Sequence, residues 1–247
     1  MCWIVNKRRC IFTYILECLV KIRSFKTGIA YTTMARRTKT DAQRTHAALL
    51  EAAERVFFDK GVARTTLGDI AQAAGVTRGA VYWHFKDKAD LLHALFGQAM
   101  LPMEALLVEL DASAGADPLG ALRSMCVQAL CSLAQSASQQ RIFSILFYKC
   151  ENVGEVVTVM DHKLARRDEC LAGVERLLHS AVAQGQLPAQ TDVFLSQQIL
   201  GNFMAGSMRE WLANPGSYAL EQTAPAMVDV ILAGLCAKPP LLKAAAG

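Results

Sequence analysis

From about residue 40 onward, apolar residues recur at three- and four-residue intervals, and capping residues, glycines and prolines cut the pattern into helix-length pieces. Thr40, with Gln43 at N3, reads as a capping box; Leu49, Leu50, Ala53, Val56 and Phe57 then form one stripe that Gly61 ends. Two short segments follow. Asp87 caps a fourth helix carrying Leu91, Leu92, Leu95, Phe96 and Ala99, which Pro102 ends or kinks. Asp117-Pro118, a cap followed by proline at N1, opens a helix to about Gln135. Further helices are expected over about 139–151, 155–184 (stopped by Gly185, with Pro188 beyond), 192–213 (closed by Asn214-Pro215-Gly216) and 220–236, with a loose tail at 237–247. No alternating run calls for a sheet. The expected fold is all-α, about nine helices.

The two short segments carry the most specific pattern. Leu67, Ile70, Ala71 and Ala74 make one apolar face, Thr66 is an N-cap, and Asp69 at N3 is a short capping-box acid. Gly75 supplies a turn where positive φ is cheap. Thr77 caps the next helix, whose Val81 and Phe85 face inward. Arg78, Gly79, Ala80, Tyr82, Trp83 and His84 are left to face outward. This is a helix-turn-helix, and its second helix suits a major groove. Arg78 has the donors for a guanine edge, while Gly79 and Ala80 keep the surface low. Tyr82, Trp83 and His84 carry donors suited to phosphate oxygens. Two adjacent aromatics on a short exposed helix argue against an ordinary solvated hairpin.

From Met34 to about Leu95 the chain closely resembles the DNA-binding domain of the TetR family of repressors. The residues that carry the resemblance are ARRTK (35–39), FFDKG (57–61) and TTLGDIAQAAGVTRGAVYWHFKDKADLL (65–92), with Lys88 opening the fourth helix. The wording GVTRGAVYWHFKDKADL looks most like the multidrug efflux pump repressors, of the AcrR and TtgR type. YKCE (148–151), GQLP (185–188) and MREWL (208–212) extend the likeness to about Leu235. The resemblance implies a three-helix DNA-binding domain at 34–93 and a larger ligand-binding and dimerisation domain at 94–236. It places Thr66, Thr77, Arg78, Gly79, Ala80, Tyr82, Trp83, His84 and Lys88 at the DNA. The implied partners are a palindromic double-stranded operator, a small hydrophobic inducer and a second copy of the chain.

Positions matching the pocket of that subgroup are Leu122, Met125, Cys126, Ala129, Phe143 and Phe147, followed by Cys170, Val174, Leu200, Met204 and Met208. They are soft, apolar and aromatic, which suits flat or greasy compounds, although each also fits ordinary core spacing. Phe143 and Phe147 lack the hydrogen-bonding capacity found in some relatives. The last two helices are apolar on more than one face, so a second copy is expected against Phe203, Trp211, Met227, Ile231 and Leu235.

Charge changes the picture in one respect. Residues 1–33 carry six Lys/Arg and one Glu, 34–93 carry ten against seven, and 94–247 carry ten against fourteen. Basic character therefore sits at the N-terminal end, as a DNA-reading head on a mildly acidic body requires. Residues 1–33 are out of character with the rest. Their apolar run, Ile11 to Val20, is interrupted by Glu17 and is too short to span a bilayer. They read as a non-native or mis-assigned extension before Met34, or else as a basic amphipathic helix lying on a membrane. No other segment reads as transmembrane or targeting. None of the eight cysteines forms a C-x2-C pair, so no metal is expected and the thiols are expected to stay reduced in a cytoplasmic protein. Redox sensing remains an alternative.

No Gly-rich phosphate loop, nucleophile elbow or HExxH is present, so neither an enzyme nor a cofactor is expected. Two repressor readings stay open. One is a regulator of an efflux operon released by apolar or aromatic compounds; the other answers to a fatty acyl or phenolic metabolite. An enzyme or an architectural DNA-binding protein stands third.

Overall fold

The computed structural model of the chain describes residues 32–113, 117–150 and 172–242. Helices α1 (Thr32–Lys60), α2 (Leu67–Ala73), α3 (Arg78–His84) and α4 (Lys88–Ser113) come first. Then follow α5 (Pro118–Gln135) and α6 (Ala137–Ser144), which passes directly into a π-helical turn at Ile145–Lys149. Helical residues 172–183 form α7, followed by α8 (Val193–Ala213) and α9 (Leu220–Ala237). The described residues are all-α apart from one isolated bridge, Thr191 to Leu241.

Several boundaries differ from expectation. Helix α1 starts at Thr32, so Thr40 and Gln43 lie in its interior and do not mark its start. No glycine or proline interrupts residues 32–60, and once a helix is nucleated each further residue adds a hydrogen bond, which outweighs a local capping preference. The 33/34 boundary therefore falls inside a helix. So does 93/94, because α4 runs unbroken to Ser113 and Pro102 does not end it. Helix α6 begins at Ala137, where Ser136 accepts from Gln139 N–H at 3.2 Å. The expected helix over 155–184 is described only from residue 172. The tail is pinned near its start: Asp192 N–H donates to the Pro240 carbonyl at 2.7 Å, and Leu242 N–H to Gln190 at 2.9 Å.

The chain divides into two compact units at Arg44 and Thr45, and the unit beginning at Thr45 has two apolar cores. In the first, Leu49 and Phe57 of α1 meet Ile70 of α2, Val81 of α3 and Leu91 and Leu95 of α4, all at most 1 % exposed. Each such side chain contributes about 1.5–3 kcal/mol by leaving water. In the second, Leu122 and Leu130 of α5 meet Leu178 of α7, Leu200 of α8 and Val228 of α9. Helix α6 serves both. Ile142 and Ile145 belong to the first core, and Phe143 packs against each.

Helix α9 is long and apolar enough, by length and composition, to cross a membrane, which the sequence reading did not anticipate. One face of it, Leu220, Ala224, Val228, Leu232 and Leu235, is buried in the second core. Its 18 residues carry Glu221 and Asp229, and both are engaged by α5. Arg123 donates to both Asp229 oxygens at 2.5 and 3.0 Å, and Gln135 donates to the Glu221 carboxylate at 2.6 Å. These half-exposed contacts fix register more than they add strength.

The Asp117 cap shows how tightly one junction is specified. Asp117 Oδ1 accepts from Gly120 N–H at 2.9 Å and from the Gln186 amide at 2.8 Å. A Cβ on Gly120 would lie 2.1 Å from Asp117 Oδ2. Glycine to alanine inside a helix ordinarily stabilises by roughly 0.5–1 kcal/mol. Gly120→Ala should do the reverse and lower the midpoint of thermal unfolding. A raised midpoint would show that the cap can move aside.

Candidate nucleic-acid interface and ligand region

The helix-turn-helix is built from its caps inward. Thr66 Oγ1 accepts from Asp69 N–H at 3.1 Å, while Asp69 Oδ2 accepts from Thr66 N–H at 2.8 Å, a complete capping box. Lys60 adds an ion pair to Asp69 at 3.0 Å. The Thr66 N–H, the Thr66 hydroxyl and Lys60 together hold the Asp69 carboxyl well below its usual range, at about 2. Gly75 takes φ +68°, a left-handed turn that L side chains rarely adopt. Thr77 then caps α3 by accepting from Ala80 N–H at 3.2 Å. Val81 and Phe85 are buried, and Tyr82 and Trp83 stand 52 % and 73 % exposed.

Arg78 and Gly79 are exposed and Ala80 half-buried at the start of α3. The Arg78 side chain crosses over Gly68, its Nε 3.7 Å from where a Cβ would stand. Thr66, Leu67, Tyr82, Lys86 and Lys88 line an open groove of about 320 Å³ beside this surface.

Two expected members of the surface sit differently. His84 is only partly exposed. Its ring is half-buried between Trp83 (4.6 Å) and His46 of α1 (5.6 Å), because position 84 follows Val81 by three residues and turns toward the core. Burial first, and the neighbouring His46 second, push its pKa below the usual histidine value. Lys88 is engaged within the chain. It donates to the carbonyls of Ala63 (3.3 Å) and Thr65 (3.1 Å), fastening the start of α4 to the loop before α2. Thr66 and Thr77 are exposed, but their hydroxyls are spent on caps.

In the body, Leu122, Met125, Cys126, Val174 and Leu200 are buried in one cluster, with Phe143, Phe147, Met204 and Met208 packed partly buried against it. Ala129 is half-buried on α5, and Cys170 lies outside the described residues. The Phe143 and Phe147 rings stack 6.1 Å apart. Here the region departs from a wholly apolar lining. The Arg209 guanidinium stands 5.3 Å from the Phe147 centroid, and the Tyr148 hydroxyl donates to the Arg209 carbonyl. The sequence did not reveal Arg209, because its partner lies on another helix and no spacing links them.

Comparison with known proteins decides the family. Residues 49–95 match the bacterial regulatory proteins of the tetR family, and residues 117–236 match the C-terminal region of MAATS-type transcriptional repressors. The chain is 39 % identical over 210 residues to the transcriptional regulator TtgR of Pseudomonas putida, covering 85 % of this chain and all of TtgR. The chain belongs to the TetR family of transcriptional regulators. Among solved TetR-type structures it is similar to NalD, the secondary repressor of the MexAB-OprM multidrug efflux pump in Pseudomonas aeruginosa. That match has a TM-score of 0.68 at 32 % identity and covers 79 % of this chain and 97 % of NalD. It is also similar to a triclosan complex of SmeT, with a TM-score of 0.68 at 28 % identity over 77 % of this chain and 91 % of that one. SmeT represses the Stenotrophomonas maltophilia multidrug efflux pump SmeDEF.

Helices α8 and α9 carry the residues expected to meet a second copy. Trp211 and Leu235 are among them. They are 6 % and 5 % exposed within one chain, and Trp211 Nε1 donates to the Tyr218 carbonyl at 3.2 Å. The two-sided apolar character of α8 and α9 hid which side each residue takes. Phe203, Met227 and Ile231 are half-buried, and Val230 beside them is 75 % exposed. Ala226, Ala233 and Gly234 continue an exposed stripe of small residues along α9.

The Asp69 carboxyl gives a pH test of the capping box. Its folded pKa, about 2, lies below the ordinary 3.8, so its contribution is complete above about pH 4 and is lost as pH falls through about 2. The thermal midpoint of wild type should exceed that of Asp69→Asn above pH 4, and the two should converge near pH 2. A gap independent of pH would mean that the charge plays no part.

Proposed function

We propose that this regulator is a cytoplasmic homodimeric repressor that reads a palindromic operator with α3, is released by small apolar or aromatic compounds, and controls a multidrug efflux operon. The exposed pair Tyr82 and Trp83, on a helix opened by Arg78, carries the DNA reading. Kinship with the efflux repressors NalD and SmeT supports the operon. The cluster of Leu122, Met125, Cys126, Leu200, Phe143 and Phe147 supports an apolar ligand, and the triclosan bound to SmeT supplies a first probe. The domains are read as a DNA head from residue 34 into α4, then a ligand and dimer body to residue 236.

Paired reading of a palindrome calls for a dimer. A single α3 covers only part of a groove, and paired recognition helices must enter half-sites one turn, roughly 34–36 Å, apart. Val230, Ile231, Met227 and Phe203 offer the apolar face for that pairing. Val230→Glu with Ile231→Glu should yield a folded monomer by sedimentation that has lost operator binding. A double variant that stays dimeric would move the interface elsewhere.

On DNA, Arg78→Ala should cost about 1–3 kcal/mol and relax base preference, because a bidentate base contact carries sequence information. Tyr82→Phe should weaken all sequences alike, because a phosphate contact carries none. Gel shifts against selected and scrambled duplexes separate the two. Unchanged affinity and preference in Arg78→Ala would remove that residue from the interface. Calorimetry with triclosan, with and without operator, tests release: by linkage, operator must weaken triclosan binding by the same factor that triclosan weakens operator binding.

A further inference from the structure

Glu54 of α1 is 6 % exposed, the one carboxylate so deeply buried among the described residues. Both of its oxygens are held by α6: Oε2 accepts from the Ser138 hydroxyl at 2.6 Å, and Oε1 from Arg141 Nε at 2.5 Å. The same segment meets the head again where it ends. Val62 N–H, at the close of α1, donates to the Lys149 carbonyl of the π-helical turn at 3.1 Å. Between these two ties, Ile142 and Ile145 are 1 % and 0 % exposed within the head's own core. Phe147 packs instead against the body's core, and Phe143 against both.

Apolar packing alone lets two elements rock against one another. A buried carboxylate satisfied at both oxygens does not, because any displacement leaves an uncompensated charge out of water. None of the three side chains lies on the α3 face that carries Tyr82 and Trp83. We propose that Glu54 is a positioning residue: its clamp to Ser138 and Arg141 holds the DNA head in a fixed orientation on the body, and so sets operator affinity from outside the DNA surface. The proposal rests on the reading of α3 as the operator-binding helix. A head free to rock must be ordered on the DNA at each half-site, which weakens binding without removing a single DNA contact. A ligand that displaces α6 acts on α1 through the same three groups.

The test uses full-length dimer and an operator duplex selected with the wild-type protein. Glu54→Gln and Arg141→Gln should each raise the operator Kd by about fivefold or more, within the ordinary range of coupling between sites. The double variant should be no weaker than the weaker single variant, since both remove one interaction. Arg141→Lys, which keeps the charge, should recover most of the affinity. Amide hydrogen exchange of the free proteins provides a second, DNA-independent reading: residues 67–85 should exchange faster in Glu54→Gln while residues 193–237 stay protected. Unchanged Kd in folded, dimeric variants, or unchanged exchange over 67–85, would overturn the clamp. If the wild type selects no duplex, the operator reading fails, and the exchange measurement still decides the clamp.

Discussion

A helix of seven residues does not hold itself together in water, and α3, the helix proposed to read DNA, is that short. Its existence depends on burial. Val81 and the capping Phe85 are 0 % and 3 % exposed against Ile70, Phe57 and Leu91, so α2 and α3 are folded by the core beneath them rather than by their own hydrogen bonds. Capping then completes what packing begins. Thr66 and Thr77 each satisfy a backbone donor that a helix start leaves open, which is why two threonines of a DNA-binding motif are tied up in structure.

The same dependence runs onward into the body. The core under α3 is finished by Ile142 and Ile145, which arrive from the end of α6 only after α4 and α5 have intervened. The head therefore does not end where the helix-turn-helix ends. Helix α4 leaves it as a continuous rod to Ser113, and α6 returns to it at Glu54 and Val62. Body and head share α6 side by side, with Phe143 packed on both cores.

What was legible in the sequence follows the range of the forces involved. The caps at Thr66, Thr77, Asp87 and Asp117 and the turn at Gly75 depend on neighbours within a few residues, and each was readable from spacing. The start of α1 was misplaced, because Thr40 carries a local capping signal inside a stretch with nothing to stop a helix. The partial cover of His84 was not legible, because it lies on the edge of the apolar stripe and the His46 ring beside it comes from another helix. The clamp at Glu54 was invisible, since its partners stand 84 and 87 residues away and no local pattern marks a buried carboxylate. Trp211 and Leu235 show the limit of patterning on helices apolar all round: periodicity marks them as buried without saying against which chain.

The most direct test of the central claim, that two copies of α3 read two half-sites held at one fixed spacing, is the response of binding to half-site separation. An operator selected with the wild-type dimer is compared with versions carrying five and ten base pairs inserted at its centre. Five base pairs rotate one half-site to the far side of the duplex, since a turn takes roughly 10–10.5 base pairs. Specific binding should be lost with five and not restored in full with ten, because the spacing between the heads is set by the dimer. Equal affinity for all three duplexes would contradict paired reading by a rigid dimer.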